Sequence, residues 1–159
     1  MTARIADPYR DLAVIDSRAP RFNQTAIGLL SVLAIATGWW WLLAALAANL
    51  ASGLIFGRRF CVTCVAYFTF IQPRFGEGPL EDSRPPRAAN IVGFVFLSAA
   101  AIAYGLGSDI GGAALGAIVA ALALLAATTG FCTGCEAYKL GRRLTGRPFV
   151  SCPLPPRAA

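Results

Sequence analysis

The sequence predicts an all-α membrane protein: four transmembrane helices as two tandem helical hairpins, each followed by a Cys-x-x-Cys motif and a short interfacial helix. Three observations carry this. Of 159 residues, 57% are hydrophobic and only 14% are charged, where an ordinary soluble domain carries about a quarter. The deficit is concentrated in two stretches, 25–57 and 91–130, which hold a single charge between them, Asp109. Neither stretch shows the alternation of polar and apolar faces that a soluble helix needs. Finally, Phe60-Cys61-Val62-Thr63-Cys64 and Phe131-Cys132-Thr133-Gly134-Cys135 each close an apolar run, and each is followed by Ala-Tyr (Ala66-Tyr67, Ala137-Tyr138).

Residues 1–21 mix Arg and Asp and contain no apolar core with a cleavage site, so they read as a cytoplasmic N-terminal segment, and the first span acts as its own insertion signal. Each apolar run is too long for one crossing, which takes about 20 helical residues. The first divides at Gly38-Trp39-Trp40-Trp41, where the indoles suit the headgroup layer, giving spans over 22–38 and 39–57. The segment Phe60–Ile71 is apolar and aromatic and predicts an interfacial helix, ended by Pro73 and Gly76. The first hairpin with its motif and interfacial helix thus occupies 22–72, and 73–87 is a cytoplasmic linker. The second run divides at Leu106-Gly107-Ser108-Asp109, giving spans over about 88–105 and 112–130. This second unit occupies 88–141, its interfacial helix ended by Gly141, and 142–159 is a cytoplasmic tail. Pro20-Arg21 and Pro86-Arg87 open the two units, which points to a duplication related by an axis along the membrane normal.

All fourteen Arg and Lys residues lie in 1–21, 58–87 and 139–157, and neither hairpin turn has one. Positive flanks stay cytoplasmic, so both termini and both cysteine pairs are expected on the inner face of a bacterial cytoplasmic membrane. The net charge of +6 is accounted for by orientation and anionic lipid, and no nucleic-acid motif is present.

Histidine is absent, which removes imidazole catalysis and imidazole metal ligands. The cysteines admit three readings. In the first, Cys61, Cys64, Cys132 and Cys135 cycle between dithiol and disulfide, or carry sulfur, with a soluble partner. Cys61 and Cys132, at helix N-termini, are then the attacking thiols, and Cys64 and Cys135 the resolving ones. Arg58 and Arg59 would assist the first pair, and Glu136 would oppose thiolate at the second. In the second reading the same four cysteines hold one structural zinc, or iron, as a tetrathiolate. In the third they only pack. Cys152 has no partner by spacing and reads as an unpaired thiol.

Gly53-x-x-x-Gly57 and Gly112-x-x-x-Gly116 predict close packing inside the bundle ahead of a homo-oligomer contact. Asn23, Gln24, Asn49 and Asn90 are polar groups in or near spans, with Asn49 deepest and expected to bond within the bundle. Tyr67 and Tyr138 read as interface anchors. Intramembrane acids, phosphate loops and Ser-His-Asp sets are missing, which argues against a pump or a hydrolase.

Ile15-Asp16-Ser17-Arg18-Ala19-Pro20-Arg21-Phe22-Asn23-Gln24, Gly38-Trp39-Trp40-Trp41, Phe56-Gly57-Arg58-Arg59-Phe60-Cys61-x-x-Cys64 and Gly130-Phe131-Cys132-x-x-Cys135 together resemble the bacterial membrane family catalogued as domain of unknown function 4395. The likeness covers nearly the whole chain. It implies a small multi-span protein with a Cys-x-x-Cys at the end of each half, and partners such as thioredoxin-like or sulfurtransferase proteins, whose genes occur beside members. It transfers no catalytic role to any residue. The chain is also similar, in span number and cysteine pairs, to four-helix membrane thiol oxidoreductases. Those act on the extracytoplasmic face, so the inward cysteines here disfavour a quinone-linked oxidase of secreted proteins.

Overall fold

The computed structural model describes residues 5–146. Four long helices dominate it: α1 (Arg18–Thr37), α2 (Trp40–Ile55), α5 (Arg84–Gly105) and α6 (Asp109–Thr129). Their packing runs in a ring, α1 on α2, α2 on α5, α5 on α6 and α6 on α1. The first helix of each hairpin leans chiefly on the second helix of the other, so the two halves interlock. Leu43, Leu97 and Ala100 lie at the centre with no exposure, joined by Ile27, Leu46, Leu50, Val119 and Ala123.

Both hairpin divisions fall where the sequence places them. Gly38 ends α1 at φ 71°, a left-handed cap that a side chain would strain, and Trp39 to Trp41 follow at the half-exposed turn. The second turn covers 106–108. Of the four helices, α5 and α6 are long and apolar enough to cross a membrane, while α2 is a shorter apolar helix.

The helices begin four residues earlier than expected, at Arg18 and Arg84 instead of 22 and 88. Pro20 and Pro86 are tolerated because the first turn of a helix has no intrahelical use for their missing N–H. The carboxylates of Asp16 and Asp82 accept the N–H of Arg18 and Arg84, each at 2.9 Å. The segments just before these helices, which the sequence presents as a separate N-terminus and linker, meet as an antiparallel pair. It joins β1 (Val14–Asp16) to β2 (Leu80–Asp82), with Ile15 opposite Glu81. Ser17 N–H bonds to Pro79 O at 2.9 Å and Ser83 N–H to Ala13 O at 3.0 Å. These contacts exchange under one shift of numbering, as a two-fold relation between the halves requires.

After α2 the chain makes a short 3-10 turn (Arg58–Phe60), then α3 (Val62–Ala66), a π turn (Tyr67–Ile71) and α4 (Gln72–Phe75), ending at Gly76. The wide turn brings Tyr67, Phe68 and Gln72 inward together. Tyr67 is therefore not an interface anchor: its ring is buried and its O–H donates to Asp16 Oδ2 at 2.9 Å. Burial and that neighbouring carboxylate push its pKa up. Phe60, Val62, Phe70 and Phe75 do remain on the outside. In the second half α7 (Thr133–Leu144) continues through Gly141 instead of stopping there; a glycine inside a helix costs only about 0.5–1 kcal/mol relative to alanine, too little by itself to end one.

Gly112 and Gly116 pack as expected: a Cβ would strike the Tyr104 ring at the first and lie 3.2 Å from Ile35 at the second. Gly53 serves a different contact, against Cys61, and Gly57 turns the chain at φ 90° with open space around it.

Candidate functional site

The connectivity puts both cysteine pairs at one end of the bundle, where α2 and α6 finish and α1 and α5 begin. Each motif has the same local build. Its first cysteine occupies the N-cap of a helix, and its sulfur accepts the backbone N–H of the second: Cys64 N to Cys61 Sγ at 3.4 Å, and Cys135 N to Cys132 Sγ at 3.2 Å. A thiolate there meets free N–H groups and the positive end of the helix.

At the first pair both thiols are free and their sulfurs stand 2.6 Å apart. Thr63 Oγ1 lies 3.2 Å from Cys61 Sγ. Bonding from the Cys64 thiol lowers the Cys61 pKa, with Thr63 and backbone N–H groups adding to the effect against burial. Cys64 is pushed the opposite way, by that same bond and by desolvation. Cys61 is the buried member, at 3% exposure, and Cys64 is half-buried. The thiol with the nucleophile's electronics is thus the one nearer the helix core, packed on Gly53.

The second pair is closed as a disulfide, with Cα atoms 5.1 Å apart, inside the usual range of such bonds. Both of its cysteines are half-buried. Glu136, expected to oppose thiolate here, is paired with Lys139 at 2.8 Å.

Several polar residues fix these motifs. Asn49 accepts Val62 N–H at 2.8 Å and donates to Thr63 Oγ1 at 3.4 Å, so its partner is the cysteine segment and not another long helix. Ser52 Oγ donates to Phe60 O at 2.8 Å. Thr63 in turn donates to Asn23 Oδ1, whose amide donates to Asn90 Oδ1 at 3.4 Å. At the second motif Gln24 Nε2 lies 3.7 Å from Cys132 Sγ, and Gly134 presses on Ala89 so closely that a Cβ would clash with its backbone. Thr63 and Gly134 hold the same place in the two motifs, as do Asn23 and Ala89 in the two units. One contact is polar in the first half and a bare backbone approach in the second.

The arginines divide their work. Arg58 donates to Pro8 O at 3.1 Å and Leu12 O at 3.0 Å, and its charge favours thiolate at Cys64. Arg59 sits 5.7 Å over the Tyr9 ring. Arg87 donates to Leu54 O at 3.2 Å, near the end of α2. Arg21, its counterpart in the first unit, lies against Gly130 at the end of α6.

Asp16 is a site residue that sequence reasoning missed. It is 2% exposed and accepts from Tyr67, Gln72, Gly78 and Arg18. Its signal was present: Asp16-Ser17-Arg18 recurs as Asp82-Ser83-Arg84, one step before the Pro-Arg openings.

Two openings adjoin Cys132. One is a polar cleft of about 490 Å³ between the strand pair and α7, lined by Arg21, Glu81, Cys132, Cys135 and Lys139. The other is an apolar groove of about 130 Å³, floored by Ile27, Leu50 and Val119 and open to the surface past Val92, Ile118 and Leu122. Among the described residues, no group of three or more His, Cys, Asp or Glu comes together to hold a metal. Cys152 and residues 147–159 lie outside the described residues.

Interlocked helical hairpins, each delivering a helix-capping Cys-x-x-Cys to the same end, define the class of this protein. The chain belongs to the family described as a domain of unknown function, DUF4395, whose model matches residues 15–143. No curated protein and no solved structure matches it.

Proposed function

We propose that this is a four-span bacterial inner-membrane protein whose two cysteine pairs, facing the cytoplasm, exchange thiols for disulfides or pass sulfur with a soluble partner of the thioredoxin-like or sulfurtransferase kind. The observation that carries the chemistry is one motif geometry used twice: in each half the first cysteine caps a helix, accepts the N–H of the second, and has the second sulfur brought against it. A site built only for packing has no need of a capped, polarised sulfur in both halves. Exchange with a partner balances without any outside oxidant: a partner thiolate attacks one sulfur, the other leaves as thiolate, and a second partner thiol completes the transfer.

The membrane reading is supported by the helix surfaces. Leu29, Val32, Val95, Ile102 and Leu125 point outward along α1, α5 and α6, each more than two-fifths exposed. Soluble monomers rarely present so continuous an apolar belt. The basic residues gather at the cysteine end, which favours that end inside. The tetrathiolate alternative needs all four sulfurs to converge, and among the described residues they do not.

Purification without reductant or chelator, followed by thiol counting, metal analysis and titration with thioredoxin, tests this. Metal-free protein whose thiols oxidise and are restored in pairs supports the proposal. One zinc or iron per chain, lost on replacing any of the four cysteines, replaces it with the structural-metal reading. Labelling of Cys61 or Cys132 from outside intact cells by an impermeant maleimide overturns the orientation.

A further inference from the structure

We infer that the polar cleft beside Cys132 and Cys135 binds a small thiol bearing both a carboxylate and an ammonium group, and that this thiol exchanges with the pair. This rests on the thiol-disulfide reading above and adds a small-molecule substrate at its second motif.

The two halves differ most in the space between strand and motif. In the first half that space is filled. Tyr67 and Phe68 are buried there at 2% and 3% exposure, with Tyr9, Ile15 and Cys64 packed on them. In the second half it is the open cleft of about 490 Å³. Counted from the motifs, Phe68 corresponds to Lys139 and Val65 to Glu136. Counted from Asp16-Ser17-Arg18 and Asp82-Ser83-Arg84, Ile15 corresponds to Glu81. Three apolar positions of the filled half are thus charged in the open half, and all three charged residues line the cleft. A gap left by loose packing has no reason to collect charges of both signs, whereas a site for a charged ligand does.

The charges left over define the ligand. Lys139 and Glu136 satisfy each other at 2.8 Å. Arg21 and Glu81 line the same cleft and are exposed. Among the described residues neither side chain has a hydrogen-bond or ion-pair partner, and they do not pair with each other. Arg87, the counterpart of Arg21, is by contrast tied to Leu54 O at 3.2 Å. A guanidinium matches a carboxylate, and a free carboxylate matches an ammonium group, so one ligand carrying both completes both. The volume falls in the range of about 300–1,000 Å³ usual for small-molecule sites. Cys132 and Cys135 line it too, which makes the ligand's sulfur the group that reacts.

The exchange balances. A ligand thiolate attacks one sulfur of the Cys132–Cys135 disulfide, forming a mixed disulfide and freeing the other sulfur as thiolate. A second ligand thiolate attacks the ligand sulfur of that mixed disulfide, and the ligand disulfide leaves. Two electrons pass from two ligand thiols to the pair, whose sulfurs take up the two protons those thiols gave up; the reverse sequence reduces the ligand disulfide. Charge on a freed sulfur is best held at Cys132, which accepts from Cys135 N–H at 3.2 Å and Gln24 Nε2 at 3.7 Å.

The oxidised full chain in detergent is mixed with glutathione, which carries both charged groups, or with mercaptoethanol, which carries neither. Reduction of Cys132 and Cys135 is followed by alkylation and site-resolved mass spectrometry, with rates compared per thiolate. The glutathione rate should saturate with concentration. Its ratio to the mercaptoethanol rate should fall about fivefold in Arg21→Gln and in Glu81→Gln. Mercaptopropionate, a carboxylate without an ammonium group, should respond to Arg21→Gln alone, and cysteamine, the converse, to Glu81→Gln alone. Both residues are exposed, and Glu81→Gln with cysteamine decides the matter if Arg21→Gln does not fold. A glutathione rate that rises linearly, with a ratio indifferent to both substitutions, overturns the inference while leaving exchange with thioredoxin standing. A pair that neither thioredoxin nor any small thiol reduces removes the redox reading itself, and this inference with it.

Discussion

Replacing Asp16 with Ala should destabilise the protein more than any single cysteine replacement. The carboxylate is 2% exposed and accepts from Tyr67 O–H at 2.9 Å, Gln72 Nε2 at 3.2 Å, Gly78 N–H at 3.0 Å and Arg18 N–H at 2.9 Å. Its removal orphans two side-chain donors on residues themselves 2% and 3% exposed, Tyr67 and Gln72. Each buried donor left without an acceptor costs about 1–3 kcal/mol, so the loss should be about 2–6 kcal/mol. Tyr67→Phe removes one donor but leaves the carboxylate three others, and should cost about 1.5–3 kcal/mol. The double variant should cost less than the sum, because the phenol that Asp16→Ala strands is no longer there. Unfolding in matched detergent, read by circular dichroism, supplies the three differences. Strict additivity, or an Asp16→Ala loss under about 1 kcal/mol, would refute the view that this carboxylate ties the strand pair to the π turn.

Two further predictions concern the first cysteine pair. Because its folded pKa is lowered, Cys61 should stay reactive towards iodoacetamide as pH falls from 8.5 towards 7, with a midpoint below the roughly 8.5 of a free thiol. Cys64, raised by the same bond, should react only at higher pH despite its greater exposure; site-resolved mass spectrometry of the reduced protein reads both, and equal profiles would count against the assignment. Asn49→Leu removes the acceptor for Val62 N–H and the donor to Thr63. It should speed amide exchange across 61–66 and shift the Cys61 profile towards that of a free thiol, at a stability cost of about 1–3 kcal/mol; unchanged exchange would show that Asn49 does not hold the motif.

Local signals decided much of this protein. The turns at Gly38 and 106–108, the four long helices and the positions of both Cys-x-x-Cys motifs follow from near-neighbour chemistry: where charge is absent, where glycine allows a left-handed cap, where a cysteine begins a helix. The family likeness rested on the same residues. Tertiary structure decided what no local pattern encodes. Asp16 reads as one charge among several in a basic segment, and Tyr67 as an interfacial ring. Only the pairing of Val14–Asp16 with Leu80–Asp82, across more than sixty residues, buries them together. Likewise Asn23, Gln24 and Asn49 looked like ordinary polar groups in spans, yet folding sets them against Thr63, Cys132 and Val62. Sequence fixes what a side chain can donate or accept, but its partner depends on which helices the interlocked hairpins bring to the same end, and that is a property of packing.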